Sequence, residues 1–296
     1  NSDDNDTKVK EFNKLIEKEE NIKKLLCIFP IILTTNQSAY KLGPQGNNFD
    51  LCIIDEAGQC AIGPSLFPLT RCKRLLLVGD QNQLKPVISI SSETNKVLMN
   101  KFKISPSYDY LNNSILLTMQ KLDTISKFVL LRYHYRSRKD IINFSNIKYY
   151  NNQLKMPIED KITTPALEFI NVDTSKTTKQ SEKNISTEEI NAIINSIKSS
   201  ENKNIGIITP FRNQAYLLKE ILKENNLENI DIGTVHTFQG DEKDIIYFSS
   251  GITNQTFDKT YDWIKNNQEL INVATTRAKK KFVLVTDYNE IEKRSK

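Results

Sequence analysis

A series of short, continuously apolar runs, each bounded by polar or turn residues, limits what this chain can fold into. They are Ile31 to Leu33, Leu51 to Ile54 and Leu75 to Val78, then Phe128 to Leu131, Leu167 to Val172, Ile205 to Ile208, Ile245 to Phe248 and Phe282 to Val285. A strand with one wet face alternates apolar and polar residues, whereas a strand buried on both faces does not, so these runs read as buried strands of parallel sheets. Helical patterns lie between them. Val9, Phe12, Leu15, Ile16, Ile22, Leu25 and Leu26 predict an amphipathic helix over residues 8–26. Ser186-x-x-Glu189 is a capping box ahead of Ile190, Ile193, Ile194 and Ile197, and Ala215, Leu218, Ile221 and Leu222 form another stripe. Strands alternating with helices define an α/β fold of the doubly wound parallel kind. The 296 residues are enough for two cores. The change of series follows the polar stretch Ser105 to Asn113, which divides the chain into domains 1–124 and 125–296. Thr174 to Lys183, free of apolar residues, and Asn254 to Thr260 read as loops.

With 38% hydrophobic and 26% charged residues the chain has the composition of a globular protein, and no apolar run approaches the ~18 residues of a membrane span. It begins at Asn1 without a methionine or a charged-then-apolar leader, which leads us to expect a piece of a longer protein. Cys27, Cys52, Cys60 and Cys72 show no CxxC spacing, so neither zinc nor a disulfide framework is expected, and a reducing, cytoplasmic compartment fits. The net charge is +5, and only eight of the 41 basic residues are arginine. Lysine is the ordinary cation here. Arg132, Arg136 and Arg138 fall within seven residues, which marks either a need for a planar, permanently charged fork or chance clustering on a lysine-rich surface.

Two of the runs end alike. Leu51 to Ile54 leads into Asp55-Glu56-Ala57-Gly58-Gln59, and Leu75 to Val78 into Gly79-Asp80-Gln81-Asn82-Gln83. Parallel sheets bind ligands at the carboxyl ends of their strands, where one carboxylate can hold Mg²⁺, a second can orient water, and an amide such as Gln83 can meet a phosphate oxygen. Either sequence alone is also what a solvated acidic turn looks like; the two together are far more specific. Arg136, in Tyr133-His134-Tyr135-Arg136-Ser137-Arg138, and Arg277, ahead of the last run, are candidates to reach a phosphate. Thr234 to Glu242 gathers hydroxyl, amide, glycine and carboxylate groups suited to a ribose or a nucleic-acid backbone.

Six segments then occur in a fixed order: Asp-Glu-Ala-Gly-Gln, Gly-Asp-Gln-Asn-Gln-Leu, His-Tyr-Arg-Ser, Ile-Thr-Pro-Phe-Arg-Asn-Gln, His-Thr-Phe-Gln-Gly-Asp-Glu-Lys-Asp and Val-Ala-Thr-Thr-Arg-Ala. They resemble motifs II, III, IV, IVa, V and VI of superfamily 1B helicases related to the nonsense-mediated-decay helicase, of the bacterial AAA helicase type. The resemblance implies two RecA-like domains, the first incomplete, with ATP and Mg²⁺ as cofactors bound in the cleft between them. It implies Asp55 for Mg²⁺, Glu56 as the base that activates water, Gln83 as phosphate sensor, and Arg136 and Arg277 as arginine fingers. Tyr135 would stack on adenine, while Gln239, Gly240 and Glu242 would approach phosphate and ribose. Thr34, Thr35, Thr209, Pro210, Arg212 and Thr237 match positions lining a single-stranded DNA or RNA track. The implied activity is an ATP-dependent 5′ to 3′ helicase or translocase, expected as a monomer without a membrane.

The resemblance has a gap. None of the nine glycines is followed by lysine, so the G-x-x-x-x-G-K-[ST] phosphate loop is not in this sequence. We expect it on a preceding part of the parent protein; the alternative is a non-hydrolysing nucleic-acid-binding or regulatory module. A second departure, Arg138-Lys139 where the family usually has His-Pro, is expected to affect a turn or helix start.

Overall fold

The computed structural model describes residues 2–46, 48–157, 163–178, 184–202, 204–238 and 240–295. Contacts divide the chain into two units, Asn1–Phe128 and Val129–Lys296.

The first unit begins with two helices in place of the single one expected, α1 (Ser2–Ile16) and α2 (Glu19–Ile28). Ile16 and Ile22 are both buried. Six residues apart on one straight helix they would point about 120° away from each other, so the break between them lets both face inward. Then follow β1 (Cys52–Ile54), α3 (Ile62–Leu69), β2 (Leu75–Leu77), α4 (Ser92–Lys101) and α5 (Ile115–Leu122). Ser91 and Ser114 cap the last two helices, their hydroxyls accepting from Thr94 N and Leu117 N. β1 and β2 pair in parallel, Cys52 opposite Leu75, over a core of Ile54, Ala57, Ile115 and Leu116. The expectation of strands buried on both faces fails here: Ile53 is 59% exposed and Leu76 48%. Ile31 to Leu33 forms no strand, and its Ile31 and Leu33 side chains are exposed. Buried Arg71 holds the neighbouring loop, donating from Nε to the Gly43 carbonyl (3.0 Å) and from its guanidinium nitrogens to the Phe67 and Tyr40 carbonyls (2.9 and 3.1 Å).

The second unit contains α6 (Lys139–Tyr149), β3 (Leu167–Asn171), α7 (Thr187–Lys198), β4 (Ile205–Thr209), α8 (Arg212–Glu224) and β5 (Asp231–Thr234). β6 (Lys243–Ser249), α9 (Asp258–Asn266), α10 (Glu269–Thr276), β7 (Ala278–Thr286) and α11 (Tyr288–Ser295) complete it. Its five strands are all parallel, in the order β3-β7-β6-β4-β5. Inside this sheet the apolar runs behave as read, every residue of β4 being buried, whereas at the edge strand β3 the reading fails, Leu167 being 44% exposed and Phe169 48%. Ile207, Tyr247, Val283 and Val285 pack with Ile190, Ile193 and Leu218 of α7 and α8, and each fully buried isoleucine contributes roughly 1.5–3 kcal/mol. The alternate residues Phe248 and Phe282 stack with centroids 6.2 Å apart. Phe128 to Leu131, expected as a strand, is not one, and Phe128, Val129 and Leu131 are exposed. The described part of the first expected loop, 174–178, is neither helix nor strand, and the second gives way to a helix after four residues. Buried Thr174 donates from its backbone N and its hydroxyl to Asp287 Oδ2 (2.8 and 2.7 Å), and α9 begins at Asp258; residues 179–183 lie outside the described residues. No helix among the described residues is long and apolar enough to cross a membrane.

The capping box starts α7 as expected, with Ser186 Oγ accepting from Glu189 N (3.1 Å), but its reciprocal half is diverted. Ser186 N donates instead to Gln214 Oε1 (2.9 Å). The Glu189 carboxyl, fully buried, accepts from Ser249 Oγ (2.5 Å), Ser250 Oγ (2.6 Å) and Gly251 N (3.0 Å) at the end of β6. Burial raises its pKa from 4.5 to about 7, against the opposing pull of those hydrogen bonds. Because the folded pKa lies above the unfolded one, its stabilising contribution is complete below pH 4.5 and lost as pH rises through 7, a span of up to about 3 kcal/mol. The stability advantage of the wild type over Glu189→Gln should therefore shrink between pH 5 and 8 in denaturant titrations; a constant difference would show that Glu189 does not titrate in that range.

Candidate functional site

In the first unit the two strand-end loops touch. Ala57 N donates to the Val78 carbonyl (2.8 Å) and Val78 N to that of Ile54 (2.9 Å), carrying the parallel ladder past the strands. Two glycines permit the approach. A Cβ at Gly58 would collide with the Asp80 carbonyl oxygen, and one at Gly79 would lie 2.8 Å from the amide nitrogens of Ala57 and Gly58. Asp55 is exposed and its Oδ1 accepts from Glu56 N (2.9 Å). Glu56 adopts the left-handed conformation with φ 51°, a strained setting for a non-glycine residue, and its Oε2 accepts from Gln59 Nε2 (2.9 Å). Asp80 closes the second loop on itself, its Oδ1 accepting from Asn82 N (2.8 Å) and its Oδ2 from Gln83 Nε2 (3.2 Å). Asp55, Glu56 and Gln83 thus belong to one pair of abutting loops.

Thr34 and Thr35, also in this unit, are exposed on a segment outside any helix or strand; Thr35 Oγ1 accepts from Ser38 N (3.2 Å) just ahead of a short 3-10 turn. The Asp55 carboxylate fits Mg²⁺, a cation that takes oxygen ligands and commonly binds one or two carboxylates with water and substrate phosphates. Among the described residues no group of three or more His, Cys, Asp or Glu gathers into an all-protein metal cage.

The second unit collects its candidates at two edges of one sheet. At the amino-terminal ends of β6 and β7, Arg136 Nε pairs with Glu242 Oε2 (2.6 Å) and Lys279 Nζ with Glu242 Oε1 (2.5 Å). Lys279, and then Arg136, hold the Glu242 carboxyl below the usual range. The Arg136 segment is docked there by Arg138, which donates from its backbone N to the Lys279 carbonyl (2.9 Å) and from Nη1 to the Thr164 and Lys280 carbonyls (2.9 and 3.2 Å). Arg138 immediately precedes α6, so the Arg138-Lys139 departure does mark a helix start. Tyr135 is 64% exposed and nearly parallel to Tyr133, centroids 6.3 Å apart. His134 Nε2 accepts from Ser137 N (2.9 Å); burial, then Arg136, lowers its pKa, consistent with the accepting, neutral ring. Arg277 lies between α10 and β7, is only 4% exposed and donates from Nη2 to Thr276 Oγ1 (3.4 Å). Gly240 is exposed with φ 89°, and Gln239 lies outside the described residues.

At the opposite edge, β4 ends in Thr209-Pro210 and β5 leads into Thr237. These two sets of candidates are separated by a strand's length, on the order of 20 Å. Thr209 is fully buried and its hydroxyl accepts from Phe211 N (3.4 Å), so it shapes the turn and presents no side chain to solvent. Arg212, His236 and Thr237 are exposed. Burial, then the Arg212 charge, lowers the His236 pKa, with Glu269 opposing.

The sequence reading missed Lys279, whose place in a lysine run looks like any solvated face; its position two residues after Arg277 was the available signal. It also missed that Asp80 orients Gln83. Gly58→Ala should force the two strand-end loops of the first unit apart and lower unfolding stability by roughly 1–3 kcal/mol; an unchanged denaturation midpoint would contradict the packing described.

A family model described as an AAA domain matches residues 111–289, and a second matches residues 2–91. The chain is 28% identical to an uncharacterized ATP-dependent helicase of Methanocaldococcus jannaschii, over 94% of this chain and 42% of that protein. It is 29% identical to helicase sen1 of Schizosaccharomyces pombe, over 80% of this chain and 14% of that protein. The solved PRRSV helicase is 14% identical with a TM-score of 0.44, over 83% of this chain and 36% of that one. The chain therefore spans less than half the length of these relatives. Matched over more than half its length by one AAA-domain model, it belongs to the AAA domain family.

Proposed function

We propose that this chain is part of an ATP-dependent helicase or translocase that moves 5′ to 3′ on single-stranded DNA or RNA. The observation that carries the reading is the segregation within the second unit. The Arg136, Glu242 and Arg277 group occupies one edge of a single sheet and the Pro210, Arg212 and Thr237 group the other, so nucleotide and strand could be held at once by the same rigid element. In the first unit Asp55 would hold Mg²⁺, which supplies charge neutralisation at the phosphates when bound. Glu56 would take a proton from the attacking water, and Gln83 would hydrogen-bond the terminal phosphate. Arg136 and Arg277 would stabilise the charge that develops there, and Tyr135 would stack on the base with Gly240 and Glu242 beside it. Thr34, Thr35, Arg212 and Thr237 would contact the strand at its backbone, which gives sequence-tolerant binding.

The phosphate loop this chemistry needs is not in the sequence. The proposal places it, as the greater length of the relatives allows, on a preceding part of a longer protein. That gap also favours the second reading, a nucleic-acid-binding module that does not hydrolyse ATP.

Binding of a single-stranded oligonucleotide should weaken steeply with salt, and Arg212→Ala should reduce the slope of log K against log salt by about one. An affinity indifferent to salt would remove the strand from the proposal. ATP turnover should be small for the 296-residue chain and, in a protein that also carries the phosphate loop, abolished by Glu56→Gln. Full turnover in that variant would exclude Glu56 as the base.

A further inference from the structure

Trp263, the chain's one tryptophan, has no part in the roles assigned so far. It lies on α9, a helix with no buried residue, and is 42% exposed. One side of α9 is fastened to α11: Asp258 pairs with Arg294 (2.8 Å), and the Tyr261 hydroxyl meets Ser295 Oγ (2.9 Å). Trp263 follows Tyr261 by two residues, about 200° around the helix, and so points the other way. There it meets Phe211, with ring centroids 6.2 Å apart and planes tilted by 39°. The Trp263 carbonyl accepts from Asn267 N (3.1 Å) and Nδ2 (2.6 Å), which closes the helix directly after it.

Phe211 cannot recede from this pair. It is backed by Gly251, at φ 64°, where a Cβ would come within 2.8 Å of the phenyl ring, and Gly251 N is in turn held by Glu189. Pro210 and Phe211 leave the carboxyl end of β4, the edge at which parallel sheets bind ligands, and the next residue, Arg212, is an exposed cation. A tryptophan serving only to cover Phe211 would have its own outer face covered as well. Here a half-exposed aromatic ring is supported by Phe211, and the residue after Phe211 is the exposed cation Arg212; an aromatic platform with a nearby cation is the combination by which proteins grip unpaired bases without reading their sequence.

We propose that Trp263 is a base-stacking subsite: one unpaired nucleobase lies on its exposed face while Arg212 takes a neighbouring phosphate. The inference rests on the single-strand reading above and adds to it a residue and a contact with the bases. Because Trp263 is the only tryptophan, its emission reports the contact directly. The chain would be titrated with oligo-deoxythymidylate and, in a second arm, oligo-uridylate. Intrinsic fluorescence would be read alongside the anisotropy of the same labelled oligonucleotides, and an abasic deoxyribose-phosphate oligomer would be the base-free control.

We expect saturable quenching at the concentrations where anisotropy rises, and none with the abasic oligomer. Trp263→Leu should lose about tenfold in affinity, while Trp263→Phe, which keeps a stacking ring, should recover most of it. Thermal melts of both variants check folding. Salt-sensitive binding with unchanged Trp263 emission, or with wild-type affinity in Trp263→Leu, overturns the subsite and leaves the single-strand reading standing. No binding of either oligonucleotide, with Arg212→Ala indistinguishable from wild type, overturns both.

Discussion

A carboxyl group sealed from water fastens the second unit at the point where α7, α8, β6 and β7 converge. Glu189 brings the first turn of α7 to the end of β6 through the Ser249 and Ser250 hydroxyls and Gly251 N, and Ser250 Oγ lies 2.7 Å from Thr286 Oγ1 at the end of β7. Gln214 of α8 joins the same network, donating to Ser249 Oγ (2.8 Å) and the Ser186 carbonyl (3.2 Å). An isolated buried carboxylate would be costly; three donors offset part of that cost, and a carboxyl with every oxygen partnered fixes geometry. The turn that begins at Gly251 takes its position from that network, and the Phe211 ring packs against the turn.

The first unit is organised differently. Its two strands are three residues long and most of their side chains are partly exposed, so the hydrophobic effect contributes less here than across the five-stranded sheet. Polar and steric constraints fill that role. Arg71 gathers three carbonyls from two segments, and the facing glycines let two backbones approach to a separation no side chain could tolerate. The Asp55 and Gln83 loops hold their places by backbone contact and through Ala57, which is buried in the core beneath them.

How much of this was legible in the sequence depended on burial. β4, β6 and β7 are covered on both faces, and their continuous apolar runs announced them. β5, Asp231–Thr234, was invisible because its strand status comes from pairing with β4 and its own composition is that of a turn. Ile31 to Leu33 and Phe128 to Leu131 show the converse, apolar runs that pair with no strand among the described residues. The capping box located the start of α7 but could not reveal that Glu189 would be drawn inward, since its partners lie about sixty residues away. At the site, residue types in order were readable from the motifs. What Arg136 and Gln83 actually touch was not, because Glu242, Lys279 and Asp80 meet them only through the sheet register and the loop closure.

The two cations on Glu242 have a further consequence. Arg136 and Lys279 occupy separate carboxylate oxygens, and only Arg136 stands on an irregular segment, while Lys279 is built into β7. Any anion that draws the guanidinium away therefore leaves the carboxylate still neutralised by its lysine, and the exchange never passes through an unpaired negative charge. Lys279 acts as a standing counterion, and the arginine becomes the exchangeable one. A group half open to solvent can then swap partners at little electrostatic cost, in a cluster whose resting pairing keeps the arginine close to hand.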